Sequence, residues 1–219
     1  MILRGGFINL ILVGCLVVML VGCCENYEWH QMLTVEVATP TGTKIGSAVV
    51  AVSWSGHDSF SNNYHSGYRG EATIVDLDDG RYLFALIGER TKYLGLKTFN
   101  GNAGISEEIF AAMMQTRVTR PVAPKNYPLL VTFDDVTDPT SIKKVDPGDL
   151  AATFGPGYSL KSVMLEVTDT PVTEGRVEDV LGWLGDHKVM RNPGWNKLPI
   201  EARSLIGNLM TRFPDYGGN

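Results

Sequence analysis

Residues 47–54, Ser-Ala-Val-Val-Ala-Val-Ser-Trp, form the stretch from which the architecture of this 219-residue chain is most readily inferred. In a β-strand, successive side chains point to opposite faces. A strand here would place apolar groups on both of its faces: Val50, Val52 and Trp54 on one, Val49 and Ala51 on the other. Strands buried on both faces read as continuous apolar runs. We therefore predict an interior strand.

The segments on either side of this strand also read as β-structure. Leu33, Val35 and Val37 alternate with polar residues, which is the period-2 pattern of a half-buried strand. Two further strands are predicted over residues 71–77 and 81–87, joined by the turn Asp78-Asp79-Gly80 as a hairpin. Four short strands separated by turns within residues 33–87 indicate an antiparallel β-sandwich.

The second half of the chain mixes helices with strands. Ser106, followed by two glutamates, is a helix N-cap signal, and Thr173 with the Val172/Val177 pair is another. The remaining predicted elements are strands over 129–133 and 160–167, a helix over 146–154, a helix from 173 that ends at Gly185, and a helix over 200–210. The fold class is α+β, with an N-terminal antiparallel β-sandwich-like portion followed by a mixed α/β C-terminal portion.

The change from predicted strands to mixed helices and strands suggests that the mature chain divides near residue 90. We predict a β-rich domain over residues 32–89 and a mixed helix and strand portion over 90–219. The alternative is that the two portions form one domain, because 197 residues also suit a single large core.

Residues 33–87 resemble prealbumin-like β-sandwich modules, such as carboxypeptidase regulatory-like domains. The resemblance rests on a glycine turn at Gly42, a small-residue strand from Gly46, the strand start Gly70-Glu71-Ala72 and the hairpin Gly80-Arg81-Tyr82. The long polar insert 55–69 departs from that pattern. Modules of this kind are structural or adhesive, so the resemblance implies a non-catalytic role.

The first 22 residues have the pattern of an export signal. Arg4 precedes an apolar run over residues 7–21, which is short for a membrane-spanning helix. The run ends in Leu20-Val21-Gly22-Cys23, which resembles the bacterial lipobox. The resemblance implies cleavage after Gly22 and lipidation of Cys23, with residues 23–31 as a lipidated tether. Alternatives are an uncleaved signal anchor and a plain secreted protein.

The lipobox resemblance also implies a cellular location. A protein of this class faces the extracytoplasmic side of the bacterial cell envelope, with the membrane as its partner through the lipid on Cys23. Two or three acyl chains give lasting attachment, whereas one gives only marginal affinity. Because residue 24 is cysteine and not the aspartate that favours inner-membrane retention in the enteric pattern, an outer-membrane address is favoured in a Gram-negative cell.

Charge and cysteine content narrow the possible partners. Removal of residues 1–22 would leave 197 residues and would also remove Arg4, changing the formal net charge from −5 to −6. An acidic chain is a poor candidate for binding nucleic acid. Cys15 would leave with the signal and Cys23 would be lipidated, so Cys24 would have no partner for an internal disulfide. No cofactor is expected.

The polar stretch 55–69 supplies the first candidate binding site. Imidazole and carboxylate groups suit zinc, and aromatic side chains beside asparagines suit a sugar or a peptide. The candidate ligand surface consists of Trp54, His57, Asp58, Tyr64 and His65. The alternative interpretation is a solvent-exposed loop without a ligand.

A second polar cluster follows the predicted strand 129–133. Asp134, Asp135 and Asp138 could bind calcium, although their spacing differs from that of the EF-hand loop. Capping of turns and helices before Pro139 explains the same acids equally well.

The sequence favours a non-enzymatic lipoprotein that presents a β-rich domain for binding or assembly with a protein or glycan partner in the envelope. The rival hypothesis is an envelope hydrolase or metal-dependent enzyme that uses the His57–His65 loop. The chain has no Gly-x-Ser-x-Gly elbow, no phosphate-binding Gly-x-x-x-x-Gly-Lys and no His-Glu-x-x-His.

Overall fold

The predicted interior strand lies within β2 (Gly42–His57), a strand that is hydrogen-bonded to a neighbour on each side. The computed structural model describes residues 26–57, 64–101, 103–184 and 195–211. Within these ranges the other strands are β1 (Asn26–Thr39), β3 (Tyr64–Arg69), β4 (Thr73–Asp76), β5 (Tyr82–Ala85), β6 (Thr119–Pro121), β7 (Leu130–Phe133), β8 (Ile142–Val145) and β9 (Ser159–Thr168). The helices are α1 (Thr91–Asn100), α2 (Glu107–Gln115), α3 (Ala151–Phe154), α4 (Arg176–Val180) and α5 (Ile200–Ile206).

The strands form two antiparallel sheets. The first has the order β3-β2-β1-β9-β6, and the second has the order β4-β5-β7-β8. Each sheet combines strands from before and after residue 89, because β9 pairs with β1 and β7 pairs with β5. The prediction of a chain that mixes helices with antiparallel strands, and that is rich in sheet near its N-terminus, is confirmed.

β1 is the middle strand of the first sheet, and one of its faces is buried along its whole length. Side chains alternate between buried and more exposed positions from Tyr27 to Thr39. The first half of this face packs against α1 and α2, where the rings of Tyr27 and Phe110 lie 5.5 Å apart. The second half joins a core cluster with residues of the second sheet, including Leu33, Val35, Leu83 and Leu130. The alternation predicted for residues 33–37 is confirmed, and β1 extends it in both directions.

β2 and β4 approach each other very closely at Gly46. A Cβ atom added to Gly46 would lie 1.9 Å from the carbonyl oxygen of Ile74. No side chain fits at that distance, so contact between the two backbones requires glycine here. The remaining apolar face of the second sheet is covered by α4 and α5, through a cluster that includes Phe84, Val131, Val177 and Ile206.

The local signals of the first half are confirmed where they are strongest. β4 and β5 form the predicted hairpin around residues 78–80, where Asp78, Asp79 and Gly80 all have positive φ. In the second half, the side chain of Ser106 accepts a hydrogen bond from the backbone N–H of Ile109 and caps α2, as predicted.

Several boundaries differ from those expected from the sequence. Residues 26–31, expected in a lipidated tether, lie inside β1, where Tyr27, Trp29 and Gln31 are buried. Much of the predicted loop 55–69 is also strand, because β2 continues to His57 and β3 begins at Tyr64. The helices expected over 146–154 and 200–210 are shorter, at Ala151–Phe154 and Ile200–Ile206.

The helix expected from Thr173 begins later, and Thr173 has another role. Its N–H donates to the carbonyl oxygen of Val49 over 3.0 Å, and its Oγ1 accepts from the N–H of Val49 over 2.9 Å. β3 pairs with β2 only from Ala51 onwards. Thr173 therefore supplies hydrogen-bond partners to the backbone of Val49, a β2 residue that β3 does not reach. The side chain that caps α4 is instead the carboxylate of Glu71. The predicted end of this helix, Gly185, lies outside the described residues.

None of the helices described here is long and apolar enough to cross a membrane.

Candidate functional site

The ligand surface predicted around residues 54–65 is divided between the core and the exterior. Trp54 is only 2% exposed. Its ring stacks on Phe110 with the centroids 4.9 Å apart and meets the ring of Tyr93 edge-on at 5.3 Å. Because aromatic pairs in this geometry stabilise a core, Trp54 is a packing residue.

Tyr64 and His65 of the same predicted surface point away from each other. The ring of Tyr64 packs edge-on against Phe110 at 5.2 Å, whereas His65, the next residue along β3, is exposed. Successive strand residues point to opposite faces, so these two side chains diverge. His57 ends β2 opposite Tyr64, and Asp58 lies outside the described residues, as does Cys23. Within the described ranges, no three His, Cys, Asp or Glu side chains group as metal ligands would.

The aspartates after β7 each have a partner within the protein. Asp134 forms an ion pair with Lys143, and Asp138 accepts hydrogen bonds from the N–H and hydroxyl of Thr140. Asp135 accepts the same two bonds from Thr137, and the side-chain bond is the main reason that its pKa is lowered. The capping interpretation of this cluster is confirmed for Asp138, which caps the short 3₁₀ turn beginning at Pro139.

An open groove with a mixed polar and apolar lining lies beside the C-terminal end of α1. Its volume of about 580 Å³ is within the range of small-molecule sites, roughly 300–1,000 Å³. We call this cavity the α1 groove. It is lined by Tyr93, Leu96, Lys97, Gly101, Ala103, Gly104, Ile105, Ala123, Lys125 and Asn126.

The α1 groove takes its position from β1. The side-chain amide of Gln31, buried on β1, donates to the carbonyl oxygen of Thr91 at the start of α1 over 3.0 Å. A Cβ atom on Gly95 would lie 2.7 Å from Oε1 of Gln31 and 2.9 Å from Met113. Gly95 therefore lets α1 lie close to the sheet and to α2. Tyr93 and Lys97 of α1 line the groove.

The charge of the α1 groove is opposite to that of the whole protein. Residues 90–128 contain six Lys or Arg and two Glu, in a chain whose formal net charge is −5. Lys97 and Lys125 line the groove, and Lys97 Nζ lies 6.0 Å from the centroid of the Tyr93 ring. Among the described residues, no carboxylate lies within salt-bridge distance of either lysine. The groove thus presents two ammonium groups beside an aromatic face, a combination that suits an anionic ligand.

Sequence analysis missed this groove because it missed α1. The segment Tyr93-Leu94-Gly95-Leu96 has a central glycine and no capping residue before it, so neither periodicity nor end signals indicate a helix. The one available signal was the excess of basic residues between 90 and 128 in an acidic chain.

A smaller cavity of about 230 Å³ lies near the beginning of β1, between β1, β9 and the end of α2. Arg117 closes one side of it, donating to Oδ1 of Asp169 over 2.6 Å and to Oδ2 over 3.0 Å. These hydrogen bonds are the main cause of the lowered pKa of Asp169. Glu28 and His30 line the same cavity.

Comparison with known proteins gives no family: no family model matches the sequence, and no curated protein or solved structure matches it significantly.

Proposed function

We propose that this protein is a lipid-anchored, non-enzymatic lipoprotein of the bacterial cell envelope that binds an anionic group of a protein or glycan partner. The observation that carries the proposal is the match between the lipobox and the start of the fold. Cleavage after Gly22 would make Cys23 the first residue, and β1 begins at Asn26. The first described strand thus begins three residues after the proposed lipidated terminus.

Binding is favoured over catalysis by what lines the α1 groove. Among the described residues that line it, the titratable side chains are Lys97, Lys125 and the phenol of Tyr93. Two exposed ammonium groups attract a carboxylate or phosphate, and the apolar side chains of Leu96 and Ile105 provide contact area. The predicted enzyme surface lacks such support, because Trp54 lies in the core while His65 faces outward.

The arrangement of the sheets bears on the same proposal. We propose that the described residues between Asn26 and Thr211 form one domain in which the two antiparallel sheets face each other as a β-sandwich, with the α1 groove at its helical side. Support comes from the core cluster that β1 and β9 share with β4, β5, β7 and β8, and from the backbone contact at Gly46.

The anchor is tested by exchanging each of two adjacent cysteines. Cys23→Ala should abolish incorporation of labelled palmitate and leave the chain out of the membrane fraction, because only the Cys23 thiol is expected to carry the diacylglyceryl group. Cys24→Ala is the matched control and should be acylated like the wild type. Retention of palmitate by Cys23→Ala would overturn the lipoprotein assignment.

The binding role is tested by reversing the charge of the groove. Partners would be cross-linked and co-purified from solubilised envelopes with the wild type, with Lys97→Glu/Lys125→Glu and with Lys161→Glu. Lys161 is exposed on β9, outside the groove, and serves as the charge-matched control. A partner that is retained by Lys161→Glu and lost by the double variant supports the proposal. Equal recovery with all three proteins would contradict a role for the α1 groove.

A further inference from the structure

We propose that the exposed side chains of Met114 and Val118 rest on the lipid bilayer beside the anchor. They flank the short turn that leads from α2 into β6. This inference rests on the lipidation of Cys23 proposed above, and it adds the orientation in which the anchored domain is held. Met114 and Val118 are called the membrane-contact pair below.

The distance between the anchor and the fold is limited by covalent geometry. Three residue steps separate Cys23 from Asn26, and an extended chain spans at most about 3.6 Å per step, or roughly 11 Å in all. The linker cannot lengthen by fraying of β1, because Tyr27 and Trp29 are buried in the aromatic core. The beginning of β1 is therefore confined close to the membrane surface.

The membrane-contact pair lies at that same end of the first sheet. Glu28, two residues into β1 after Asn26, lines one small cavity together with Met114 and Arg117. The register agrees, because His30 of β1 pairs with Thr168, and Asp169 holds Arg117. Met114 thus lies near the level of Glu28, about 7 Å along β1 from Asn26. Val118 precedes Thr119, which pairs with Glu166 opposite Met32, so Val118 lies about 17 Å along β1 from Asn26. A domain tilted onto the β6 edge of the first sheet brings both side chains to a surface that the linker can touch.

Internal hydrogen bonds hold the pair in place. The Arg117 guanidinium uses Nε and one terminal nitrogen on Asp169, and the other terminal nitrogen donates to the carbonyl oxygens of Met114 and Thr116, at 2.8 and 2.6 Å. Arg117 is a positioning residue: its charge is balanced by Asp169, and it ties the end of α2 to the end of β9. This bracing keeps the apolar side chains on either side of Arg117 directed outward.

The chemistry of the pair suits a lipid surface more than it suits water. Met114 is 40% exposed and Val118 is 47% exposed, two of the six large apolar side chains that are strongly exposed in the described part of the chain. Each apolar side chain that leaves water contributes to binding in proportion to its buried area. With Arg117 neutralised and Glu28 nearby, the contact depends on apolar burial, and salt should change it little.

The experiment measures depth in the bilayer with one fluorophore at a time. The full lipidated chain, carrying Cys24→Ser, is reconstituted in vesicles of phosphatidylethanolamine and phosphatidylglycerol containing a spin-labelled lipid. Val118→Cys carries the label in one protein and Met114→Cys in another. Ile45→Cys is the matched control, since Ile45 is an exposed apolar residue that pairs with Glu36, roughly 34 Å along β1 from Asn26.

We expect labels at Val118 and Met114 to lose about half of their fluorescence to the spin label, because interfacial contacts lie about 5–10 Å into the headgroup and acyl boundary. The label at Ile45 should lose almost none, and raised salt should not change the result. Equal quenching at all three positions, or quenching at Ile45 alone, would overturn the proposed orientation. A co-purifying protein that covers Met114 and Val118 would also overturn it.

Mass spectrometry of the N-terminal peptide separates failure of this inference from failure of the proposed function. A chain without acyl groups on Cys23 overturns both. An acylated chain whose Val118 and Met114 labels are not quenched overturns the membrane contact and leaves the lipoprotein assignment in place.

Discussion

The carboxylate of Glu71 accepts a hydrogen bond from the backbone N–H of Val177 over 3.2 Å, although the two residues are 106 positions apart. Its other oxygen accepts from the N–H of Arg176, so one buried acid caps the first turn of α4. Glu71 precedes β4 and forms a backbone bridge with Met210 after α5. One residue thus links the start of β4 to α4 through its side chain and to the segment after α5 through its backbone.

Glu71 should make stability depend on pH. Burial raises the pKa of Glu71 above its ordinary value of 4.5, against the opposing effect of the Val177 and Arg176 hydrogen bonds. The neutral form therefore favours the folded state. The stability of the wild type relative to Glu71→Gln should be greatest below pH 4.5. It should then fall as the pH rises through the raised pKa of the folded protein.

Urea unfolding of both proteins at a series of pH values measures this difference. Each unit by which the folded pKa exceeds the unfolded one corresponds to about 1.4 kcal/mol. The Gln variant keeps an acceptor for one backbone N–H and has no charge to lose, so it serves as the control. A relative stability that increased with pH would mean that the hydrogen bonds outweigh the effect of burial.

Gly46 should not tolerate a side chain. Gly46→Ala would force its methyl group against the carbonyl oxygen of Ile74, so β2 and β4 would have to separate. We expect a loss of about 1–3 kcal/mol or more in the free energy of unfolding, as for other overpacked positions. Gly104→Ala is the control, because an added Cβ meets no atom within 4 Å there. A stable Gly46→Ala protein would refute the close contact between the strands.

Thr173→Val should weaken the first sheet where β3 has ended. The change preserves shape but removes the Oγ1 that accepts from the N–H of Val49, and a buried donor left without a partner costs about 1–3 kcal/mol. Hydrogen exchange at the Val49 amide should become faster. Thr170→Val, at an exposed threonine nearby, should leave that exchange rate unchanged. Unaltered protection of Val49 in the Thr173 variant would contradict the assigned role.

Trp54 and His65 should respond differently to truncation. Trp54→Ala removes a ring packed between Phe110 and Tyr93, and such core truncations typically cost about 3–5 kcal/mol. His65→Ala changes an exposed position on β3, where effects usually stay within about 0.5 kcal/mol. Thermal unfolding of the two variants measures the contrast. A strongly destabilised His65→Ala, or an undisturbed Trp54→Ala, would contradict the division of the predicted surface.

The sequence predictions that the structure confirms rest on residues close together in the chain, although the local signal at Thr173 did not start a helix. The alternation of Leu33, Val35 and Val37 predicts a strand because the period is 2, and Ser106 predicts a helix start because its partner is three residues away. For the same reason the acids at 134–138 could be interpreted as local caps. These signals located strands, turns and one hairpin, but they could not show which strands distant in the chain pair with each other.

The candidate site depended on contacts that no local pattern records. Trp54 and His65 are both typical of binding surfaces by composition, and only the packing of Phe110 against the first sheet shows that Trp54 belongs to the core. The α1 groove requires Gly95 to lie against Gln31, a contact between residues 64 positions apart.

By itself, the sequence determined the alternating strands and the hairpin at Asp79-Gly80, because each is encoded within a few neighbouring residues. Tertiary structure alone decided that β1 runs back to Asn26, that Glu71 caps α4, and that Lys97 and Lys125 share a groove. The physical reason is that a buried strand end, a buried carboxylate and a groove are each created by partners that the chain brings together only when both sheets have formed.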